Sequence, residues 1–397
     1  MADSQSTGEG PRILVVDDND DNRYTLTLYL DLEGYGNVDV AHDGEEAIGR
    51  LKESTFDLML LDVMMPKVDG YQVLAWLKDQ PQLRDLPVIM ISALNEVNSV
   101  VRCIELGAVD YLLKPFNPVM LKARLGATLE KKKLRDQINE HLARLEEELE
   151  AARKLQMSMV PQAFPAASAQ FPIDIHASME PAREVGGDLY DFFITEDGML
   201  WFLVGDVSGK GMPAALFMAR TKSLIRITTE LMRLHTAAKP ADVIARVNRE
   251  LCQDNNDLMF VTLFFGMLAP QTGELEYCNA GHNEPYRING GTLEAIKGAK
   301  GIILGVRPDA VYATGQMSLA PGDSVYVFTD GVTEANNVAG DLFSEEPLEN
   351  VLRGAAGLSS AEIVKSVTEA VRGFVGNALP SDDITMLAVR RLDPATV

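Results

Sequence analysis

The spacing of hydrophobic positions changes twice along the chain. From residue 11 to about 118, short apolar runs alternate with segments of helical spacing. Arg12–Val16 (RILVV), Asn37–Ala41, Leu58–Leu61, Val88–Ser92 and Asp110–Leu113 read as strands, and Asn22–Leu32 and Gly44–Glu53 as helices. Unbroken apolar runs of this length suit strands covered on both faces, and their alternation with helices predicts an α/β doubly wound parallel sheet of five strands. Leu121–Met159 contains no proline, a single glycine (Gly126), and many good helix formers. As one helix it would run about 58 Å. Ile138, Leu142, Leu145, Leu149 and Ala152 step by four and three, the spacing of a coiled-coil seam. Extended backwards the seam meets Lys131 and Arg135, so about two heptads are clean. Glu146, Glu147, Glu148 and Glu150 flank it, which favours a parallel dimer over a lone amphipathic helix lying on a domain. Pro161 and Pro165 stop the helix.

Beyond the prolines the runs shorten and alternate. Ile173–Ala177, Leu189–Ile194, Met199–Asp206, Thr262–Leu268, Leu275–Asn279, Ser324–Thr329 and Thr385–Arg390 read as strands, with turns at Glu196–Asp197–Gly198 and Gln271–Thr272–Gly273. Helices are expected over Pro213–Leu234, Pro240–Asp254 and Ser360–Val375. Strand runs mixed with long helices predict an α+β sandwich with sheets inside and helices outside.

Composition narrows the function classes. A length of 397 residues allows two or three domains, and 46% apolar residues can fill their cores. A net charge of −22 argues against nucleic acid or an anionic membrane as partner. It also argues against a DNA-binding output, which would need a basic helix-turn-helix after the first domain. Cys103, Cys252 and Cys278 have no CxxC spacing, as expected of packing residues in a reducing cytoplasm. No apolar run is long enough for a transmembrane helix. Residues 1–10 are polar, lack a signal-peptide core and are expected to form a disordered tail.

In the first region the polar residues fall at the carboxyl ends of strands, where such sheets bind ligands. Asp17 and Asp18 follow the first strand, Asp62 the third, Ser92 ends the fourth, and Lys114 follows the fifth. Three converging carboxylates call for a cation, and oxygen ligands suit Mg²⁺. A carboxylate can also accept a phosphoryl group, whose oxygens Lys114 and Ser92 would then stabilise. The motifs VVDDND, LLDVMMPKVDG, MISA and DYLLKPF resemble the receiver domain of two-component response regulators. The resemblance implies Asp62 as phospho-acceptor and Asp17, Asp18 and Asp62 around Mg²⁺, with the carbonyl of Val63 or Met64 as a further ligand. It implies Ser92 and Tyr111 as the switch pair, with Lys114 beside them, and a histidine kinase as partner.

In the second region Asp188, Asp206, Asp330 and Asp382–Asp383 sit beside Gly, Ser or Thr at strand ends and turns, so the backbone can approach a ligand closely. Separated aspartates with no Cys/His cluster point to Mg²⁺ or Mn²⁺, with room for two ions, and such sites hydrolyse phosphate esters. Asp341 reads only as a turn. The segments PAREVGGDLYDF, VGDVSGKGMPAALFMA, NAGHNEPY, FTDGVTEA and SDDITMLAV are similar to SpoIIE/RsbU-type PPM serine/threonine phosphatases. The resemblance implies Asp188, Asp206, Asp330 and Asp382 as ligands of two Mn²⁺ or Mg²⁺ ions, the Val207 carbonyl as another, and Asp383 as an auxiliary. Arg183, five residues before Asp188, stands where relatives carry a phosphate-binding Arg. GDVSGKG lacks P-loop spacing. His282 is either a general acid or a loop-orienting residue, the latter being commoner. Met212, Met218 and Met232, with Leu216 and Leu224, are expected in the core. Leu189 stands where many relatives have an aromatic residue, a difference expected to affect packing and not metal binding.

The expected organisation is a tail over 1–10, a receiver over 11–120, a helical coiled-coil linker over 121–160 and a phosphatase over 161–397. The expected function is a cytoplasmic response regulator, homodimeric through the linker, whose output dephosphorylates phosphoserine or phosphothreonine on a protein. By family analogy that protein is an anti-sigma-factor antagonist. The competing expectation is a catalytically silent phosphatase fold that binds a sigma factor or another partner. Retention of all four metal-site aspartates speaks against it.

Overall fold

The computed structural model describes residues 10–93, 97–234 and 238–395, so the expected tail, apart from exposed Gly10, lies outside the described residues. The chain divides into two compact units, Met1–Leu145 and Glu146–Val397.

The first unit is the expected parallel sheet. Its elements are β1 (Ile13–Val16), α1 (Asp20–Leu32), β2 (Val38–Ala41), α2 (Gly44–Glu53), β3 (Leu58–Asp62), α3 (Gly70–Lys78), β4 (Val88–Ser92), α4 (Val97–Glu105) and β5 (Asp110–Leu113). The strand order is β2-β1-β3-β4-β5, all parallel. β1, β3 and β4 are buried along their whole length, which explains their unbroken apolar runs. Leu14, Val16, Met59 and Leu61 face one core, and Ile13, Val15, Leu58 and Leu60 the other. α1 begins ahead of the expected Asn22. The Asn19 side chain caps it by accepting from the amides of Asp21 and Asn22, and Asp20 and Asp21 suit the positive end of the helix. α3, not anticipated, opens with a capping box between Asp69 and Gln72.

One helix, α5, runs from Pro118 to Met159. It starts three residues before the expected Leu121. Asn117 Oδ1 accepts from the amides of Val119 (3.0 Å) and Met120 (3.3 Å), and Pro118, with no N–H to satisfy, fits the first turn. Leu121 and Leu125 are buried in the core beside Ile13 and Ile89. Further along, Lys132 pairs with Asp57 and Arg135 with Asp85. The seam residues Ile138, Leu142 and Leu145 are then 58%, 53% and 55% exposed.

The second unit is a four-layer sandwich. Its strands are β6 (Ile173–Glu180), β7 (Leu189–Ile194), β8 (Leu200–Val207), β9 (Val261–Leu268), β10 (Glu274–Ala280), β11 (Tyr286–Asn289), β12 (Thr292–Ala295), β13 (Lys300–Gly301), β14 (Gly315–Ser318), β15 (Ser324–Phe328) and β16 (Ile384–Arg391). Its helices are α6 (Met212–Arg233), α7 (Pro240–Leu251), α8 (Glu345–Gly354) and α9 (Ser360–Val375). One sheet has the order β13-β10-β9-β8-β7 with β14 beside β10, and the other β12-β11-β15-β16-β6. Alternation along β8 shows the layering. Phe202 and Val204 join Ile175, Val327 and Leu387 between the sheets, while Trp201 and Leu203 join Met218, Ile225, Ile244 and Val247 of α6 and α7. α8 and α9 cover the opposite face at Tyr326, Phe328 and Ala388.

Met218 is fully buried and Met232 and Leu224 pack beside that core, but Met212 and Leu216 are exposed, contrary to expectation. They lie on the solvent side of the first turns of α6, whose inward positions are Ala214, Ala215 and Phe217. α7 ends at Leu251, short of the expected Asp254, which takes a positive φ of 55° that no helix tolerates. Asp341 lies in an exposed turn closed by Asn337.

Candidate functional site

Two groups of carboxylates form, one in each unit. In the first, Asp17 follows β1 and Asp62 ends β3, neighbouring strands whose carboxyl ends point the same way. Asp17 is fully buried and Asp62 nearly so, while Asp18 is exposed. Their oxygens lie within 4.8 Å of one another, which makes them, among the described residues, the only such group of three acidic, His or Cys side chains. Asn19 N–H and Asn22 Nδ2 donate to Asp17 Oδ1, each at 3.0 Å, fixing its orientation. Lys114 Nζ reaches Asp17 Oδ2 at 2.8 Å and Asp62 Oδ2 at 3.0 Å. Burial raises the Asp62 carboxyl to about 6 against the Lys114 hydrogen bond, and the charge of Asp17 adds to the rise. Burial alone would lower Lys114, but its bonds to the two aspartates hold it above its ordinary value.

Three oxygen donors, one ammonium and an acidic group made hard to ionise fit a divalent cation here. Val63 O accepts from Gly70 N at 3.0 Å, which favours Met64 over Val63 as the carbonyl donor. Ser92 is buried, and its carbonyl accepts the Lys114 amide at 2.8 Å. Tyr111, half-buried on β5, has the Arg124 guanidinium 5.3 Å from its ring centre.

In the second unit Asp188 precedes β7, Asp206 lies near the end of β8, Asp330 follows β15, and Asp382 and Asp383 precede β16. Two of these strands belong to each sheet, so the carboxylates gather where the sheet ends meet. Thr329 Oγ1 donates to Asp188 Oδ2 at 2.8 Å across that junction. Asp188 is raised by burial and then by the charges of Asp206 and Asp383. Asp206 is raised to about 7 by burial and then by Asp330 and Asp382. Asp330 is raised by burial, Glu334 and Asp382. Carboxylates that oppose one another's ionisation, with only oxygen donors around them, fit Mg²⁺ or Mn²⁺.

Asp383 has a second task. Its Oδ1 accepts from Ala182 N (2.8 Å) and its Oδ2 from Gly187 N (2.7 Å), so it holds the loop ahead of Asp188. A Cβ at Gly186 would lie 2.2 Å from Asp383 Oδ2, and one at Gly187 2.6 Å from the Val207 carbonyl, so both positions require glycine. Arg183 is exposed and makes no ion pair among the described residues. His282 is buried, and burial lowers its imidazole to about 3. Its Nδ1 lies 2.9 Å from Thr262 Oγ1, on the residue paired with Asp206 across β8 and β9, and Asn279 brackets its backbone. A neutral, enclosed imidazole fits the orienting reading and not the general-acid one.

Residues that the sequence reading passed over also converge here. Lys210 Nζ sits 2.9 Å from Asp382 Oδ2 and donates to Ser381 O at 2.6 Å, placing a cation inside the carboxylate group. Its one signal in the sequence is its place in GDVSGKG, a segment without P-loop spacing. Thr329 carried no signal beyond standing before Asp330, and Gln156 of α5 none beyond its place on the helix. A largely apolar cavity of about 350 Å³ adjoins Asp382, lined in part by Val371, Val375, Leu379 and Ile384.

Residues 13–126 match the response regulator receiver domain, and residues 196–392 match stage II sporulation protein E (SpoIIE). Phosphoserine phosphatase RsbU of Bacillus subtilis is 30% identical over 251 residues, covering 62% of this chain and 71% of that protein. Protein IcfG of Synechocystis is 30% identical over 266 residues, 62% of this chain but only 41% of IcfG, so the chain spans well under half of that relative. The PP2C domain of SiaA from Pseudomonas aeruginosa superimposes with a TM-score of 0.55 at 22% identity, covering 64% of this chain and 99% of that domain, a likeness of fold. Among the described residues no helix is long and apolar enough to cross a membrane. The chain therefore belongs to the SpoIIE/RsbU family of PPM-type phosphatases and carries a response-regulator receiver domain ahead of its phosphatase domain, the two linked by a long helix.

Proposed function

We propose that this is a cytoplasmic response regulator in which phosphorylation of Asp62 controls a metal-dependent protein serine/threonine phosphatase. The reading assigns the receiver to 11–120, the helical linker to 121–160 and the phosphatase to 161–397. The observation that carries the reading is the gathering of Asp188, Asp206, Asp330 and Asp382 where the sheet ends meet, with burial and neighbouring charge raising the carboxyls of Asp188, Asp206 and Asp330, a cost that bound cations would relieve.

In the receiver, an Asp62 oxygen forms the bond to phosphorus as the phosphorus–nitrogen bond of a kinase phosphohistidine breaks. Lys114 balances the charge on the phosphoryl oxygens, and the Ser92 hydroxyl hydrogen-bonds one of them while Tyr111 turns inward. Asp17, Asp18, Asp62 and the Met64 carbonyl would hold Mg²⁺. In the phosphatase, Asp188, Asp206, Asp330, Asp382 and the Val207 carbonyl would hold two Mn²⁺ or Mg²⁺ ions, which when bound supply an activated water and charge neutralisation at phosphorus. Arg183, free of ion pairs among the described residues, binds the phosphate of the substrate, and Lys210 adds a second positive charge. Asp383 supports the loop of Asp188, and His282 holds Thr262 in place. The substrate is a phosphoserine or phosphothreonine protein of the anti-sigma-factor antagonist class, and the chain dimerises through α5.

Hydrolysis of an aryl phosphate with Mn²⁺ tests the enzyme. Asp206→Asn and Asp382→Asn should abolish turnover while leaving the circular dichroism spectrum intact. Normal Mn²⁺-dependent turnover in both variants overturns the assignment, and a wild-type protein without turnover points to an adaptor. Beryllofluoride with Mg²⁺ should occupy the wild-type receiver and not Asp62→Ala.

A further inference from the structure

Gln156 is 4% exposed on a stretch of α5 whose neighbours Lys154 and Leu155 face solvent. It continues the four-three stepping of the seam from Ala152, yet it points into the second unit. Its Nε2 donates to Gly186 O at 2.6 Å, and its Oε1 accepts from Gly186 N at 3.1 Å. The side-chain amide thus satisfies both backbone groups of a buried glycine, as a neighbouring strand would.

Gly186 has no side chain to anchor it. It lies two residues before Asp188, in a loop that Asp383 holds through the amides of Ala182 and Gly187. The loop is therefore placed by hydrogen bonds from two sides, one of them the last turns of α5. That end of α5 is itself fastened: Tyr190 of β7 donates its hydroxyl to Pro161 O at 2.6 Å, Gln162 caps Met157 O at 2.9 Å, and Val160 is buried between the sheets. A turn or slide of α5 at Gln156 must carry the loop with it or break both bonds.

We infer that Gln156 is a positioning residue of the phosphatase site: its amide sets the Gly186–Gly187 loop and, through it, the carboxylate of Asp188. The inference rests on the phosphatase reading. It also makes the last turns of α5 the place where a change in that helix becomes a change at the metal-binding carboxylates.

The test uses the full chain and two variants. Gln156→Glu keeps the shape of the side chain but, when ionised, places a negative oxygen against the Gly186 carbonyl. Gln156→Leu removes both hydrogen bonds. Both should lower kcat on an aryl phosphate by at least tenfold with KM within about twofold. Both should also weaken Mn²⁺ binding, measured by calorimetry, by at least fivefold. The Gln156→Glu defect should shrink as pH falls, because the neutral acid regains an O–H donor for Gly186, whereas the Gln156→Leu defect should not. If Gln156→Leu does not fold, Gln156→Glu alone decides. A Gln156→Glu variant with wild-type kcat and Mn²⁺ affinity, or with a lowered melting temperature and nothing else, overturns the inference. A wild-type chain that neither binds Mn²⁺ nor hydrolyses the ester overturns the phosphatase reading, and this inference with it.

Discussion

The hydroxyl of Thr329 donates to Asp188 Oδ2 at 2.8 Å while its oxygen accepts the Thr385 amide at 3.0 Å. One buried side chain thus ties the end of β15 and the start of β16 to the carboxylate ahead of β7. Thr329→Val keeps the shape and strands both partners. The expected cost is about 1–3 kcal/mol of unfolding free energy, from leaving buried polar groups unpaired. Urea unfolding measures it, and Mn²⁺ titration of activity should shift to higher Mn²⁺ concentration. Unchanged values in both would mean that Thr329 only fills space.

Asp62 predicts a dependence of stability on pH. Burial raises its carboxyl from 3.8 to about 6 in the folded chain. The folded state then holds the proton more tightly than the unfolded state. In metal-free buffer this group's contribution to stability declines as pH rises from about 4 to about 6 and is level above. Asp62→Asn should therefore be more stable than wild type at pH 7, by a margin that narrows as pH falls towards 4.5. Denaturant unfolding of the receiver in EDTA checks it. A margin that stays constant from pH 4.5 to 7 would contradict the assignment of the shift to Asp62.

His282 predicts an absence of effect. Its imidazole is lowered to about 3 by burial, so it stays neutral throughout the pH range of an assay. His282→Asn should lower kcat by loosening Thr262, yet leave both limbs of the pH–rate profile where they were. Loss of one limb in the variant would restore the general-acid reading.

The seam of α5 leaves Ile138, Leu142 and Leu145 exposed, and this apolar stripe is what a second copy would cover. On the proposed reading, about two clean heptads would give a marginal dimer, which a few kcal/mol at the receiver would shift. Leu142→Asp with Leu149→Asp should abolish dimerisation in sedimentation and uncouple phosphatase rate from beryllofluoride, with both domains folded. Full responsiveness in this double variant would reduce α5 to a tether.

The first unit was legible in the sequence because its strands are buried on both faces and its chemistry sits at strand ends. Runs such as Leu58–Leu61 admit few other readings, and Asp62 follows from its place after one of them. Helix bounds shifted only where a cap, Asn19 or Asn117, sits a few residues upstream. Less was legible in the second unit. β12 and β14 are short edge strands with half-exposed positions, so they lack a strong alternation. Met212 and Leu216 have core-like side chains, but the facing of α6 against its sheet put them in solvent.

The sequence by itself determined which residue types stand at turns and strand ends: the aspartates, the glycines that let the backbone close in, and the helix formers of α5. These are local properties, encoded within a few neighbouring residues. Only the tertiary structure decided which of them meet. Thr329 reaches Asp188 across 141 positions of chain, Asp383 reaches Gly187 across 196, and Gln156 reaches Gly186 across 30. Such contacts depend on how two sheets and the end of a helix pack. No periodicity in the chain records that, because a buried hydrogen-bond partner is chosen by the space that packing leaves and not by its neighbours in sequence.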